Sequence, residues 1–376
     1  MSGHVTSRRR PRVLVLRALG LGDLLAGVPA LRGVRRAFPG HEIVLAAPAS
    51  LYDAARATGA VDTLLPTRAS GRAVPSLRHW TGDPPEVAVD LHGNGPESRD
   101  ALAELRPGRL LAFAAPGERG EPPPEWRADE HERDRWCRFL RAYGIPADPA
   151  DLRLAPPLRP SAAAGAVVVH PGADSAARRW PADRYAEVVA GLVAAGVRTV
   201  LTGGPGEDGL LAGIADSAGL DRCDVRCGGL PFEEFSALIA RAAVFVSGDT
   251  GPAHLAVALG TSSVTLFGPV PPRLWGPPPD ERHVVLWHPG PPGDPHATVP
   301  DPLLSRIRAA EVHAAVGRLL DHRAGQGGTP RHGASGGGAS GGDTSRGDTS
   351  RGGASGGGTS RTRTAPGAAE VLGRVR

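Results

Sequence analysis

Residues 244–260, VFVSGDTGPAHLAVALG, leave little choice of structure. Val244, Phe245 and Val246 are a β-branched and aromatic run that suits a short buried strand. Ser247 to Gly251 is turn and N-cap chemistry. Pro252 falls where a first helical turn tolerates a missing N–H. Ala253 to Leu259 continues as a small-residue helix, and Gly260 ends it. A strand feeding directly into a helix must be crossed back to a parallel neighbour, and the same rhythm recurs along the chain. The spacing predicts strands over 12–16, 42–47, 62–66, 87–91 and 109–114, then 167–170, 198–201, 244–246 and 263–267. Helices are expected over 23–38, 51–58, 130–143, 182–195, 206–218, 232–240, 253–259 and 303–320. Alternation of this kind gives parallel sheets with helices on both faces. The fold class is therefore α/β.

The rhythm pauses once. Residues 151–165 are rich in Pro and Ala and lack periodicity, as a linker would. We expect a lead-in over 1–11, one Rossmann-like domain over 12–150, the linker, a second such domain over 166–322, and a tail over 323–376. The tail is Gly, Ser, Thr and Arg with a crude repeat, so it cannot bury a core and is expected to be disordered. Two α/β units joined by a linker imply a ligand cleft between them.

Charge excludes one class of partner. The sequence pI is about 9.5, yet Arg323 onward carries eight arginines against Asp343, Asp348 and Glu370. The chain's net charge is +4, so the part before the tail is near neutral and offers no basic field for nucleic acid. There is no lysine. Cys137, Cys223 and Cys227 make neither a disulfide framework nor a zinc site. No apolar run approaches the ~20 residues of a membrane span. A cytoplasmic protein with at most peripheral contact at the inner face of a membrane is expected.

Four stretches carry chemistry. Gly20-Leu21-Gly22-Asp23 follows the first strand; its glycines let a substrate approach the backbone, and Asp23 either accepts a proton as a general base or caps its helix. A dinucleotide fingerprint would need a third glycine where Leu25 stands, and an acid after the second strand, where Ala46-Ala47-Pro48 stands. His170 to Pro181 follows the first strand of the second domain; Arg178 and Arg179 either clamp phosphate oxygens or are a solvated pair. Thr202 to Glu207 follows the next strand. There Gly203 and Gly204 permit close approach of a ring or ribose and Glu207 can accept from hydroxyls, unless the stretch is a plain turn. Asp249, Thr250, Gly251 and His254 open the helix of the first stretch, whose free N–H groups suit a diphosphate. All of these loops fall at carboxyl ends of parallel strands, where ligands bind. No phosphate-loop motif, Asp-x-Asp pair or metal-ligand spacing is present, so neither metal nor cofactor is expected.

Together these motifs resemble glycosyltransferase family 9, the bacterial heptosyltransferases of the GT-B fold. The matching pieces are RALGLGDLLAGVPALRGVRRAFP, HPGADSAARRWPADRYAEV, LTGGPGE and SGDTGPAHLAVALGTSSVTLFGP, spread over about residues 12–320. The resemblance implies two Rossmann-like domains facing each other across a cleft, with the last helix packing back near the first domain. It implies a nucleotide-sugar donor, typically ADP-heptose, and a glycan or glycolipid acceptor of the cell envelope. Asp23 falls at the family's base and Arg178 at its diphosphate-binding cation. Asp249, Thr250, Gly251 and His254 match its donor motif, and Glu207 falls at or beside its ribose-binding acid. Two alternatives are a non-catalytic nucleotide-sugar binder, which needs the second domain's loops but not Asp23, and an NAD(P)-dependent oxidoreductase using the Gly20–Gly22 turn.

Overall fold

The computed structural model describes residues 10–69, 71–114, 124–161, 163–226 and 228–327. Disorder was expected over 1–11 and 323–376; residues 1–9 and 328–376 lie outside the described residues, as do Cys227 and the Cys223 side chain, while 323–327 are helical instead and continue the last helix. The first half runs β1 (Arg12–Leu16), α1 (Leu21–Ala26), α2 (Val28–Ala37), β2 (Glu42–Pro48), α3 (Tyr52–Ala57), β3 (Thr63–Thr67), β4 (Val87–Asp90), α4 (Pro96–Ala103), β5 (Arg109–Leu111) and α5 (Glu132–Ala142). The second runs β6 (Val167–His170), α6 (Ala182–Ala194), β7 (Thr199–Thr202), α7 (Asp208–Ala218), β8 (Val225–Arg226), α8 (Phe232–Arg241), β9 (Val244–Gly248), α9 (Gly251–Leu259), β10 (Ser263–Leu266), α10 (Pro272–Trp275), β11 (His283–Leu286) and α11 (Ala309–Gly327).

Among the described residues there are two sheets, ordered β3-β2-β1-β4-β5 and β11-β10-β9-β6-β7-β8. Their strand pairs are parallel. Both orders reverse beside the first strand of their half. That reversal is the topological switch point, and the crevice beside it is the ligand position of doubly wound sheets. The fold is thus α/β and GT-B-like.

Continuous apolar strands explain the burial. Val13 and Val15 face one layer, with Leu31, Leu45, Trp136 and Phe139; Leu14 and Leu16 face the other, with Ala46, Ala88 and Leu102. Val167, Val169 and Val246 pack under α6 and α11, whereas Val168, Val200 and Phe245 pack under α8 and α9. This last layer also holds Leu25 and Val28 of the first half. The two halves therefore share apolar contact beside the switch points.

Two expected helices differ. The one over 23–38 starts at Leu21 and is divided at Gly27, which caps both α1 and α2. Pro29 cannot donate to the Leu25 carbonyl, and a side chain at 27 would lie 2.8 Å from Arg17 Nε. The last helix begins at Ala309 after a short turn over 304–306 and runs on to Gly327. Its buried side chains join the second half rather than the first. Val312, Ala315, Val316 and Leu319 belong to the second sheet's core. Contact with the first half is made by α10 instead: His131 Nε2 lies 3.0 Å from the Gly276 carbonyl, and Arg273 pairs with Asp129. No helix of the described residues is long and apolar enough to cross a membrane.

Candidate functional site

At the carboxyl end of β1 the chain turns through Ala18–Gly20 into α1, and Asp23 takes the third position of that helix. Its Oδ2 accepts from the Gly20 N–H at 3.2 Å, closing the helix start as an N3 acid does. Its Oδ1 faces Arg72 Nη2, also at 3.2 Å. Asp23 is 8% exposed. Burial alone would raise its pKa, but the Arg72 and Arg17 guanidiniums outweigh it and hold the carboxyl below its ordinary value. Asp23 thus caps its helix and remains a carboxylate, so capping leaves its charge in place.

The second half supplies the opposite wall. Thr250 is the N-cap of α9, with extended backbone and no side-chain capping bond, so its hydroxyl does not occupy the amides of that turn, where Pro252 has no N–H and Ala253 donates to the Thr250 carbonyl. Asp249, just before it, is buried. Arg178 Nη1 donates to the Asp249 carbonyl at 3.1 Å and lies 3.5 Å from its carboxylate. Burial raises the Asp249 pKa, with Asp23 adding and Arg178 opposing. His254 lies one turn into α9, 3.8 Å from the Asp249 carboxylate, with its ring edge-on to Trp275. Burial pushes His254 down to about 4, so it is a neutral imidazole at pH 7.

The walls touch at two glycines. A Cβ on Gly22 would lie 3.0 Å from the His254 ring and 3.5 Å from Gly251 Cα; one on Gly251 would lie 3.0 Å from Leu21 Cβ. Only bare backbone lets α1 and α9 start this close together. Gly22, Asp23, Asp249, Thr250, Gly251, His254 and Arg178 therefore form one group.

Glu207 makes a second group. Its Oε2 accepts from the Gly204 N–H at 2.7 Å. A side chain on Gly172 would collide with its carboxylate, and one on Gly203 would lie 3.2 Å away. The loops after β6 and β7 thus meet at Glu207. The loop after β6 in turn meets β9, where a Cβ on Gly248 would lie 3.0 Å from the Arg178 carbonyl. Arg179 is exposed and its Nε donates to the Ala173 carbonyl at 2.8 Å, bracing its own loop. Among the described residues no group of three or more His, Cys, Asp or Glu is placed to hold a metal ion.

Three residues beside Asp23 were not singled out from the sequence for any role at this site. Arg17 is fully buried, and its guanidinium donates to the Asp23 and Leu91 carbonyls, each at 2.6 Å, and to Glu132 Oε1 at 3.1 Å. The signal available was a charge ending an apolar strand, RVLVLR. His92 Nδ1 accepts from the Ala18 N–H at 3.2 Å, and the ring is also hydrogen-bonded to the Arg72 backbone. Burial pushes His92 down to about 4. Arg72 lies in the long β3–β4 connection, where nothing in the sequence marks it.

Comparison with known proteins bears on the fold and the family. The profile of Glycosyltransferase family 9 (heptosyltransferase) matches residues 117–294. Lipopolysaccharide heptosyltransferase 3 of Escherichia coli is 32% identical over 164 residues, 41% of this chain and 46% of the relative. The chain thus aligns with about half the length of that relative. Among solved structures, a glycosyl transferase family 9 protein of Veillonella parvula superposes with a TM-score of 0.66 at 18% identity, covering 84% of this chain and 99% of that one. The E. coli ADP-heptose lipopolysaccharide heptosyltransferase II superposes with a TM-score of 0.64 at 19% identity, covering 83% and 99%. At these identities the solved structures speak for the fold, while the profile and the curated relative speak for ancestry. On these grounds residues 117–294 match glycosyltransferase family 9, and the chain shares the fold of solved members of that family.

Proposed function

We propose that the protein is an inverting, metal-independent glycosyltransferase. It moves a heptose or related sugar from a nucleotide-sugar, ADP-linked by analogy with the relatives' names, to a hydroxyl of a glycan or glycolipid at the cytoplasmic face of the cell envelope. One observation carries this reading: a buried, ionised carboxylate on one half faces an open helix N-terminus with an arginine on the other. Sugar transfer needs both. The acceptor oxygen attacks the anomeric carbon and gives its proton to Asp23. The bond from that carbon to the diphosphate breaks on the opposite face, so the configuration inverts. Negative charge grows on the leaving diphosphate, where the Thr250 and Gly251 amides, the α9 dipole and Arg178 are preorganised for it. Arg178 is bonded to Asp249, so a diphosphate would compete with the Asp249 carbonyl and carboxylate for the same guanidinium. Glu207, with Gly203 and Gly204 beside it, stands where a ribose would be received. His254, neutral, donates or accepts without adding charge, and Arg179 steadies the loop that carries Arg178.

Calorimetry with ADP, ADP-heptose, UDP-sugars and NAD tests the reading. Binding of ADP and ADP-heptose is expected. NAD binding without affinity for any nucleotide-sugar would overturn it in favour of an oxidoreductase. Donor binding without turnover on any acceptor would leave a binding protein. Turnover unchanged by EDTA is expected; loss restored by a divalent ion would remove metal independence.

A further inference from the structure

The base on α1 and the donor site on α9 lie on different halves of the molecule, so something must set one against the other. The shared apolar layer fixes proximity but not the orientation of a carboxylate. One polar chain of contacts does reach Asp23 from the second half. It begins at α10, whose Trp275 lies edge-on to the His254 ring. The residue after α10, Gly276, offers its carbonyl to His131 Nε2 at 3.0 Å. His131 is the N-cap of α5, with Nδ1 accepting from the Arg133 N–H. The next residue, Glu132, is 6% exposed. Its Oε1 takes Arg17 Nη2 at 3.1 Å and Trp136 Nε1 at 2.7 Å, and its Oε2 takes Arg135 Nη1. Arg17 then grips the Asp23 carbonyl at 2.6 Å.

Nothing in this chain of contacts is solvated enough to be a surface ion pair, and a buried Arg–Glu pair is a costly way to gain stability. Its geometry serves another purpose. The Arg17 guanidinium is a planar, three-pointed brace between α1, the residue after β4 and the start of α5. We propose that His131, Glu132 and Arg17 are positioning residues that tie Asp23 to the second half through α10, so that the base is correctly set only while α10 rests on α5. This rests on the reading of Asp23 as the base. None of the three touches substrate in it; all act through Asp23.

The test uses the full chain and three variants. His131→Asn keeps an N-cap for α5 but is too short to reach Gly276. Glu132→Gln keeps the shape and the acceptor for Trp136 while removing the charge that holds Arg17. Asp23→Asn removes the base. Amide exchange over residues 20–27 is read without any substrate. It is expected to rise severalfold in His131→Asn and Glu132→Gln, while exchange over 244–259 stays as in the wild type. Unchanged exchange over 20–27 in both variants overturns the relay. Turnover is read as ADP release from ADP-heptose, with a delipidated lipopolysaccharide core or water as acceptor. A loss of ~10- to 100-fold is expected in each relay variant, with ADP affinity held; the melting temperature is held in His131→Asn, whereas Glu132→Gln lowers it because Arg17 stays buried without its counter-charge. In the Asp23→Asn background, His131→Asn should cost nothing further, because the relay acts only through the carboxylate. Additive losses overturn the relay and leave the base in place. Full turnover in Asp23→Asn instead overturns the base itself, an outcome distinct from failure of the relay.

Discussion

Asp23 is held by two partners that do different jobs, and each can be removed separately. The Gly20 N–H on Oδ2 is structural, and an asparagine amide oxygen can accept it equally well. Asp23→Asn should therefore fold with an unchanged melting temperature and bind ADP as before. A positioned base supplies ~10²–10⁴ in rate, so turnover should fall by about that factor. Full activity in this variant would reduce Asp23 to a cap. Arg72 on Oδ1 is electrostatic. With Arg72 and Arg17 beside it, the carboxyl titrates below its ordinary value, so Asp23 stays ionised from pH 8 down past pH 5, and turnover is expected not to fall on its account. In Arg72→Gln one opposing charge is gone and burial, which raises the pKa, gains weight. The acidic limb of the pH–turnover profile should move upward, with a larger loss at pH 5 than at pH 8. A limb that stays in place would show that Arg72 does not set the charge on Asp23. Arg72 is also the residue at this site that the sequence could not reveal: its meaning comes from a fold that returns the β3–β4 connection to α1, not from its neighbours in the chain.

At the scale of elements, what was legible followed from periodicity. The strands VVVH, TVLT and VFVSG and the helices α6, α7 and α8 stand close to where apolar spacing put them. The division of α1 from α2 was hidden because Leu24, Leu25, Val28, Leu31 and Val34 are all buried on both sides of the break. Hydrophobic spacing does not register a missing N–H at Pro29 or the arginine after β1, Arg17, set against Gly27. The short α4 and α10 were missed for a related reason: each is brief and proline-led, with too few turns for a period to show. The glycines of GLGD were read as giving a substrate access to the backbone, and the glycine of DTGP as turn and N-cap chemistry. The structure adds a second demand on them, because they are where α1 and α9 meet. Gly22→Ala measures that demand. Alanine is favoured in a helix interior by ~1 kcal/mol over glycine, so α1 alone would gain. The added methyl, 3.0 Å from the His254 ring, must push α9 away or turn the imidazole. Turnover should fall by roughly tenfold, since misplacement near 1 Å is enough for that, while the melting temperature holds. Unchanged turnover would show that the two helix starts need not approach so closely.

For the whole molecule, strand order was not written in the sequence, but its consequence was: loops following β1, β6, β7 and β9 were expected at carboxyl ends, and parallel sheets with reversals beside β1 and β6 bring them there. Which half the last helix joins was beyond the pattern, since an amphipathic helix does not name its partner. α11 also carries Arg323, whose Nη1 donates to the Ala242 carbonyl at 3.0 Å. Truncation should therefore follow Gly327 rather than His322. A chain ending there is expected to keep its melting temperature and ADP affinity, because the Gly, Ser and Thr beyond it cannot offset the entropy of ordering; a loss of either would show that the segment docks. Stability of the whole has a pH dependence that the buried histidines set. His170 lies against Thr202 Oγ1 at 3.0 Å, and His283 against Ser263 Oγ at 2.9 Å. Burial pushes both down to about 4. Above the unfolded value near 6.5 both are neutral in either state, and their contribution is fully present. As pH falls below 6.5 the unfolded chain takes up protons that the folded chain refuses, so each withdraws about 1.4 kcal/mol per pH unit until roughly pH 4. His92, His131 and His254 act in the same direction. Asp90, raised to about 6 by burial, opposes them below that pH, as does Asp249. Five groups against two leave a net loss. The melting temperature should drop between pH 7 and pH 5, and His170→Gln, which cannot take up a proton in the unfolded chain, should flatten the slope. A melting temperature that is level from pH 7 to pH 5 would mean that the histidines are hydrated in solution and that the site around His254 is open to water.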